Sequence, residues 1–381
     1  MMLTAVTLRN APGRPLLVLG PSLGTSVETL WGRCVARLGG DWHVVGWDLP
    51  GHGRSAPAHG GFGVPGLAKS VLELVDRIRP GATIRYAGDS IGGAVGLQLL
   101  LDAPRRVEAA VVLCTGAKIG EAAGWRQRAE TVRAEGTQAV VAGSIQRWFG
   151  PGFPEREPGI VEELLGALRA ADPESYALVC EALATFDVRD RLGEIAAPVL
   201  AVAGAEDQPA PPEGLALIAE GVRNGRLVVL DGVAHLAPAE SPAEVAALID
   251  QHFTGRRTVD DVRSAGMAVR RAVLGDEHVD RAVAGTTPFT RDFQELITAY
   301  AWGEIWTRPG LDRRSRSMIT LTALVALGHH EELAMHVRAA RRNGLTDDEI
   351  KEVLLQTAIY CGVPAANTAF RIAQRVLDEM A

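Results

Sequence analysis

Residues 84–101 read Ile84-Arg85-Tyr86-Ala87-Gly88-Asp89-Ser90-Ile91-Gly92-Gly93-Ala94-Val95-Gly96-Leu97-Gln98-Leu99-Leu100-Leu101. A short apolar run ends in Gly-Asp-Ser-Ile-Gly, and a smooth apolar segment of helical character follows. That context predicts a nucleophile elbow, a sharp strand-to-helix turn with the serine hydroxyl at its tip. Gly88 and Gly92 leave room where strand and helix crowd the turn, and Gly93 lets the helix lie close to the sheet.

On either side of this stretch, strands and helices alternate. Leu16-Leu17-Val18-Leu19 is a strand running into Gly20-Pro21-Ser22-Leu23-Gly24-Thr25, and 42–49 is a second, ending in Asp48-Leu49-Pro50-Gly51-His52-Gly53-Arg54-Ser55. A helix over 67–78, strands at 84–87 and 110–113, and later strands at 199–203 and 227–230 continue the pattern. Short Val- and Leu-rich strands between helices predict a mostly parallel sheet covered on both faces. Reactive residues then belong beyond the carboxyl ends of the strands. Three polar residues meet that rule: Ser90, Asp207 in Gly204-Ala205-Glu206-Asp207-Gln208-Pro209, and His235 in Gly232-Val233-Ala234-His235-Leu236. Their order, serine, acid, histidine, is the one expected of a hydrolase on such a sheet. Glu206 is the competing acid, but the strand-to-turn spacing favours Asp207.

Composition narrows the alternatives. A chain of 381 residues suits two domains. A net charge of −7 with scattered basic residues gives no footprint for nucleic acid. The apolar runs are too short for a membrane span, and residues 1–20 lack a signal-peptide pattern. Four cysteines, Cys34, Cys114, Cys180 and Cys361, have no paired spacing, so buried thiols in a reducing cytoplasm are expected, with neither a disulfide frame nor a metal site.

The first part resembles the α/β-hydrolase family, within it the 3-oxoadipate enol-lactonases. The resemblance rests on Ser22-Leu23-Gly24-Thr25 with Trp31, the stretch 48–55, the elbow, Asp207 with Pro211-Pro212, and Ala234-His235-Leu236. It implies an oxyanion hole formed by the backbone N–H groups of Leu23 and Ile91, where charge develops on lactone attack. Asp89 departs from the pattern, since these lactonases more often carry an uncharged residue before the serine. A helical insert over about 120–190 would form a lid. It holds Trp125-Arg126-Gln127-Arg128 and Gln146-Arg147-Trp148-Phe149, so Trp125, Arg128, Arg133 and Trp148 are candidates for substrate contact. Trp125 and Arg133 resemble lid positions of the enol-lactonases, and an arginine suits the free carboxylate arm of such a substrate.

The hydrolase part is expected over 1–254, with a linker at 255–264 and an all-α domain over 265–381. Candidate helices there are 293–302, 315–327, 331–342, 347–360 and 366–380. Asn343-Gly344 is a helix stop and Thr346-Asp347-Asp348-Glu349 a capping box. Glu332 and His336 stand four apart on one helix face, with His329 just before it. The spacing is not HExxH, so no metal is expected, and an acid–base pair is the better reading.

This part is similar to the carboxymuconolactone decarboxylase family. The matching stretches are Gly266-Met267-Ala268-Val269-Arg270-Arg271-Ala272-Val273-Leu274-Gly275, Trp302-Gly303-Glu304-Ile305-Trp306, Leu311-Asp312-Arg313-Arg314-Ser315-Arg316-Ser317, Glu332-Leu333-Ala334-Met335-His336 and Tyr360-Cys361-Gly362-Val363-Pro364. Peroxide-reducing relatives use a Cys-x-x-Cys pair, and Cys361 has no second cysteine in the module. The resemblance implies decarboxylation of 4-carboxymuconolactone without a cofactor, because the substrate holds its own electron sink. His336 is then the proton donor, Glu332 or Glu304 orients it, and Arg316, with Arg313 and Arg314 in competition, takes a substrate carboxylate. Ring-like oligomers among the relatives, and an apolar 317–327, imply self-association through this module. The two parts together imply one bifunctional cytoplasmic enzyme acting on small lactone carboxylates. Two alternatives are a hydrolase of another ester joined to a redox module, and a non-catalytic receptor.

Overall fold

The carboxyl end of strand Leu16–Gly20 meets that of strand Ile84–Asp89 at Gly20 and Gly88, and the chemistry is built over that junction. The computed structural model describes residues 2–255, 259–308 and 310–380. The chain divides into two compact units, Met1–Arg256 and Arg257–Ala381.

The first unit carries seven strands: β1 (Ala5–Arg9), β2 (Leu16–Gly20), β3 (His43–Trp47), β4 (Ile84–Asp89), β5 (Val107–Leu113), β6 (Val199–Gly204) and β7 (Gly225–Leu230). Their order in the sheet is β1-β3-β2-β4-β5-β6-β7, with β1 antiparallel to β3 and every other pair parallel. β1 was not legible as a strand, because its alternating Ala-Val-Thr-Leu-Arg suits an edge with one wet face. From β2 the chain goes to β3 on one side and then crosses to β4 on the other. That reversal opens a crevice at the strand ends.

Helices α1 (Val27–Val35), α2 (Val64–Ile78) and α3 (Ile91–Asp102) cover the sheet. Ten of the twelve residues of α3, from Ile91 to Leu100, are buried, which suits a helix that is apolar all round. Its close approach depends on glycine. A Cβ on Gly92 would lie 2.6 Å from the Gly20 carbonyl carbon, and one on Gly88 would lie 2.3 Å from the Gly92 oxygen.

Between β5 and β6 run α4 (Ala122–Glu135), α5 (Val141–Trp148), α6 (Phe153–Arg156), α7 (Pro158–Ala170) and α8 (Pro173–Ala184). α9 (Pro212–Gly221) follows β6, and α10 (Ala237–Glu240) and α11 (Pro242–Thr254) close the unit, with Gly255 as a left-handed stop.

The second unit is helical throughout its described residues: α12 (Val259–Leu274), α13 (Asp276–Ala284), α14 (Arg291–Ile297), a π-helical segment (Thr298–Ile305), α15 (Arg313–Leu327), α16 (His330–Arg342), α17 (Asp347–Cys361) and α18 (Val363–Asp378). The linker expected over 255–264 is shorter than that. Its residues 256–258 lie outside the described ones, and α12 is helical from Val259, with Val262 and Val273 buried. The Thr346 capping box forms, with Thr346 and Glu349 each accepting the other's backbone N–H. One core lies between α15, α16, α17 and α18 around Leu321, Leu333, Leu354 and Ile372. A second joins Val273, Val279, Trp302 and Ala339 from α12, α13, the π segment and α16.

Candidate active sites

Ser90 has φ 53° and ψ −118°, a backbone state that a non-glycine residue adopts only when the surrounding structure imposes it. Here the elbow is pinned on three sides. Ser90 N–H donates to the Leu113 carbonyl (2.9 Å), Gly92 N–H to Pro21 (3.0 Å), and Thr115 Oγ1 to the Ser90 carbonyl (2.7 Å). The hydroxyl is left beside His235 Nε2 at 2.9 Å. On the far side of the ring, Nδ1 lies 2.9 and 3.0 Å from the two Asp207 oxygens. Asp207 also accepts the Ala210 N–H at 2.9 Å. With Nδ1–H donating to the carboxylate, the Nε2 lone pair faces the serine proton, the arrangement required to activate a hydroxyl. All three residues are buried, which protects the charges formed during attack from bulk water.

Leu23 stands in the loop after β2. Trp31 Nε1–H holds that loop by donating to the Gly20 carbonyl (2.9 Å), and Asp48 secures the neighbouring helix start by accepting the Val27 and Arg54 N–H groups (2.7 and 2.8 Å). Above Ser90 lies a cavity of about 480 Å³. Ser22, Leu23, Ser90, His235, Gln208 and Pro209 line its floor, and Trp125, Arg128, Arg147, Trp148 and Tyr176 its roof.

Trp148 has a second role: its carbonyl accepts the N–H groups of His235 and Leu236 (3.2 and 3.3 Å). Glu240 accepts from Gly150 (2.6 Å) and Ala234 (2.9 Å), tying the lid's end to the histidine loop. Burial lifts the Glu240 carboxyl to about 7 despite these donors.

In the second unit His336 is half-buried on α16 and Glu332 is exposed on the turn before it. Burial and the neighbouring His278 pull the His336 imidazole below its ordinary value, against the weaker pull of Glu332. Glu332 thus acts on His336 as the helix spacing implies, and α13 adds a second neighbour, His278, that spacing on α16 does not reveal. Glu304 is exposed on the π segment. Arg316 donates to the carbonyls of Leu311 (3.2 Å) and Arg308 (2.9 Å), so its guanidinium is spent on its own helix start. Among the described residues no group of three or more His, Cys, Asp or Glu side chains is placed to hold a metal ion, and no helix is long and apolar enough to cross a membrane.

Comparison with known proteins matches residues 32–242 to the family described as serine aminopeptidase, S33, and residues 291–375 to the carboxymuconolactone decarboxylase family. The chain is 37% identical over 230 residues to 3-oxoadipate enol-lactonase 2 of Acinetobacter baylyi, covering 60% of this chain and 85% of the relative. It is 46% identical over 115 residues to the 4-carboxymuconolactone decarboxylase of the same organism, covering 30% of this chain and 86% of the relative. The chain belongs to both families. The solved enol-lactonase of Burkholderia xenovorans LB400 superposes with a TM-score of 0.63 at 30% identity, over 66% of this chain and 96% of that one.

Within the hydrolase unit the structure separates the candidate lid residues. Trp125 and Arg128, three apart on α4, share the cavity face, and Trp148 joins them from α5. Arg133 does not reach it. Five residues past Arg128 it points about 140° round the helix, where it is exposed and paired with Glu174 (2.8 Å) and Glu181 (2.5 Å). Arg147 takes the place expected of it, one residue before Trp148. Its charge is destabilised by burial first and by Arg128 second, and among the described residues no carboxylate forms an ion pair with it. Arg128 donates to Tyr176 Oη (2.7 and 2.9 Å) and Ser144 Oγ (3.3 Å), all neutral acceptors. Two guanidinium groups thus face one cavity without an ion-pair partner, and Glu121, which also lines it, is paired with Lys118 (2.9 Å).

Asp89, the departure before the nucleophile, is fully buried, and neither carboxyl oxygen has a hydrogen-bond partner. Burial, with the charges of Asp207 and Glu240 added, holds its carboxyl well above the usual range. Its charged form is thus disfavoured beside Ser90.

Proposed function

We propose that the chain performs two consecutive reactions, decarboxylation of 4-carboxymuconolactone in the second unit and hydrolysis of the resulting 3-oxoadipate enol-lactone in the first. The observation that carries the hydrolytic half is the linked Ser90–His235–Asp207 set beneath a cavity faced by Arg128 and Arg147. In this reading Ser90 Oγ attacks the lactone carbonyl as its proton passes to His235 Nε2. The oxygen that gains charge meets the N–H groups of Leu23 and Ile91. Collapse breaks the ring C–O bond, the enolate oxygen takes the proton from His235, and the enol becomes the ketone of 3-oxoadipate. Water repeats the cycle on the acyl-serine. Arg128 and Arg147 hold the free carboxylate arm, Trp125 and Trp148 flank the ring, and Arg133 only braces the lid.

In the decarboxylase unit, the C–CO₂ bond breaks and its electrons run through the ring C=C to the carbonyl oxygen. His336 donates an N–H to that oxygen in its neutral form, as an electrophile. Water then gives a proton to the ring carbon next to the carbonyl, and the electrons returning from the oxygen leave the C=C of the enol-lactone. We place the enzyme in the cytoplasm, consistent with four cysteines that form no disulfide. We also read it as a homo-oligomer through the second unit. Ile319, Leu327, Ile359, Tyr360 and Val363 are all more than half exposed there, a larger apolar display than a lone small unit tolerates well.

The test is to supply 4-carboxymuconolactone and follow both products. The parent enzyme should yield 3-oxoadipate, and Ser90→Ala should accumulate the enol-lactone at an undiminished rate of CO₂ release. Release of 3-oxoadipate by Ser90→Ala above the spontaneous rate would reject the assignment.

A further inference from the structure

The stretch Gly266-Met267-Ala268-Val269-Arg270-Arg271 has no part in the chemistry above, yet it holds a buried cation. α12 lies backbone-on-backbone against the π segment: a Cβ on Gly266 would stand 2.1 Å from the Thr298 carbonyl oxygen, and one on Gly303 would stand 2.2 Å from that of Val262. One turn beyond Gly266 this closeness encloses Arg270, which is 5% exposed. Its Nη1 donates to Thr298 Oγ1 (3.2 Å) and its Nη2 to Gln294 Oε1 (3.1 Å), both neutral, and its Nε is buried with no partner. Among the described residues no carboxylate forms an ion pair with it. A guanidinium does not shed its proton, so enclosing one without a counter-charge is costly unless an anion arrives from outside.

The place for such an anion is present. A cavity of about 560 Å³ opens beside Arg270, with Met267, Gln294, Thr298 and Val283 among its walls. Arg291 and the Arg263–Glu295 pair (3.8 Å) stand at the same cavity, which is left with more guanidinium than carboxylate. That size suits a small organic ligand. The positive field extends inward from it. Burial and then Arg270, Arg281 and Arg342 depress the His278 imidazole, and His278 in turn faces His336.

We propose that the cavity between α12, α13 and α14 binds the carboxylate of a small dicarboxylate, with the Arg270 guanidinium in its wall as the fixed donor. On the decarboxylase reading of this unit, on which the substrate's identity rests, Arg270 holds the carboxylate that stays. A cation clamped on the departing group would stabilise the ground state more than the transition state and slow the loss of CO₂.

The probe is adipate, with dimethyl adipate as the uncharged control, and the readout is hydrogen exchange of the full chain by peptide. Adipate should protect peptides covering 263–270 and 291–298, and dimethyl adipate should not. Arg270→Gln should abolish that protection. Val283→Glu changes a half-exposed wall residue and so keeps the fold, and it should abolish the protection by supplying an internal carboxylate. Both variants should raise KM for 4-carboxymuconolactone about tenfold or more with a smaller change in kcat, the loss expected for one charge-assisted contact. Protection by adipate that survives in both variants, or an unchanged KM in both, overturns the site. If the parent releases no CO₂ from the lactone while adipate protection still depends on Arg270, the decarboxylase reading falls and the anion site stands.

Discussion

In the hydrolase unit the candidate catalytic groups are tied to one another: Ser90 to His235, His235 to Asp207, and the histidine loop to the lid through Trp148 and Glu240. In the decarboxylase unit the groups are neighbours without such ties. His336 faces His278 across two helices, and Arg270 is buried with one donor unused. The difference follows from the chemistry each unit is proposed to perform. Lactone hydrolysis needs an unreactive hydroxyl made nucleophilic, which requires aligned proton acceptors before substrate arrives. Decarboxylation of a substrate with its own electron sink needs anion recognition and a donor in place, and the substrate itself completes the site.

The sharpest way to break this comparison is Asp207→Asn. If the hydrolase depends on a prearranged proton relay, hydrolysis of supplied enol-lactone should fall by about 10³–10⁴-fold with little change in KM, the penalty for holding imidazole in the wrong tautomer. Near-parental turnover would shift the acid's role to Glu206. His336→Phe, which removes the N–H donor, comes next. Decarboxylation should fall by about 10²-fold while hydrolysis of supplied enol-lactone is unchanged, and His329→Gln, exposed at the helix start, should have little effect. Because burial and His278 lower the His336 value and outweigh Glu332, the neutral form prevails near pH 7. Decarboxylation by the parent should therefore stay level from pH 6.5 to about 8. A steady fall across that range would show that the protonated form is required.

A smaller effect separates the lid arginines. Arg147→Gln should reduce kcat/KM by about 10–100-fold on a carboxylate-bearing lactone, and far less on an uncharged one. Arg133→Leu should reduce both equally and slightly, since exposed ion pairs contribute about 0.2–1 kcal/mol. A charge-selective loss in Arg133→Leu, with none in Arg147→Gln, would reverse the assignment.

The smallest effect on activity is expected at Asp89. Asp89→Asn should hydrolyse the lactone at the parent rate, because burial disfavours charge on the carboxyl it replaces. Its stability should nevertheless differ with pH. Asp89 holds its proton more tightly folded than unfolded, so raising pH above the ordinary carboxylate range ionises the unfolded chain first and withdraws stability from the folded one. Asparagine has no such penalty. The variant's melting temperature should exceed the parent's at pH 8 by about 2 °C or more, and by less at pH 4. Equal differences at both pH values would mean that Asp89 titrates normally.

How far these sites were legible depends on what placed each residue. Ser90, Asp207 and His235 could be read in advance because each directly follows a strand, and a parallel sheet delivers all such loops to one edge. The all-α second part was legible from helix stops and the Thr346 capping box, which are local signals. α13 was missed: nine residues between Gly275 and Gly285, with Asp, Glu, His and Arg outnumbering apolar positions, carry little periodicity. His278 went unnoticed with it.

What chain order and local spacing determined by themselves was the hydrolase sheet and the three polar residues that follow its strands. Only the tertiary structure decided which arginines face a cavity, that Trp148 and Glu240 lock the histidine loop to the lid, that Asp89 is buried, and that Arg270 is enclosed without an ion-pair partner among the described residues. The reason is physical. A strand end or a three-residue helical step is a property of consecutive residues, whereas a side chain's charge, partner and exposure depend on what other segments bring against it. Arg133 and Arg147 lie fourteen positions apart with the same chemistry, and the rotation of two short helices gives one a pair of glutamates and the other the roof of the active site.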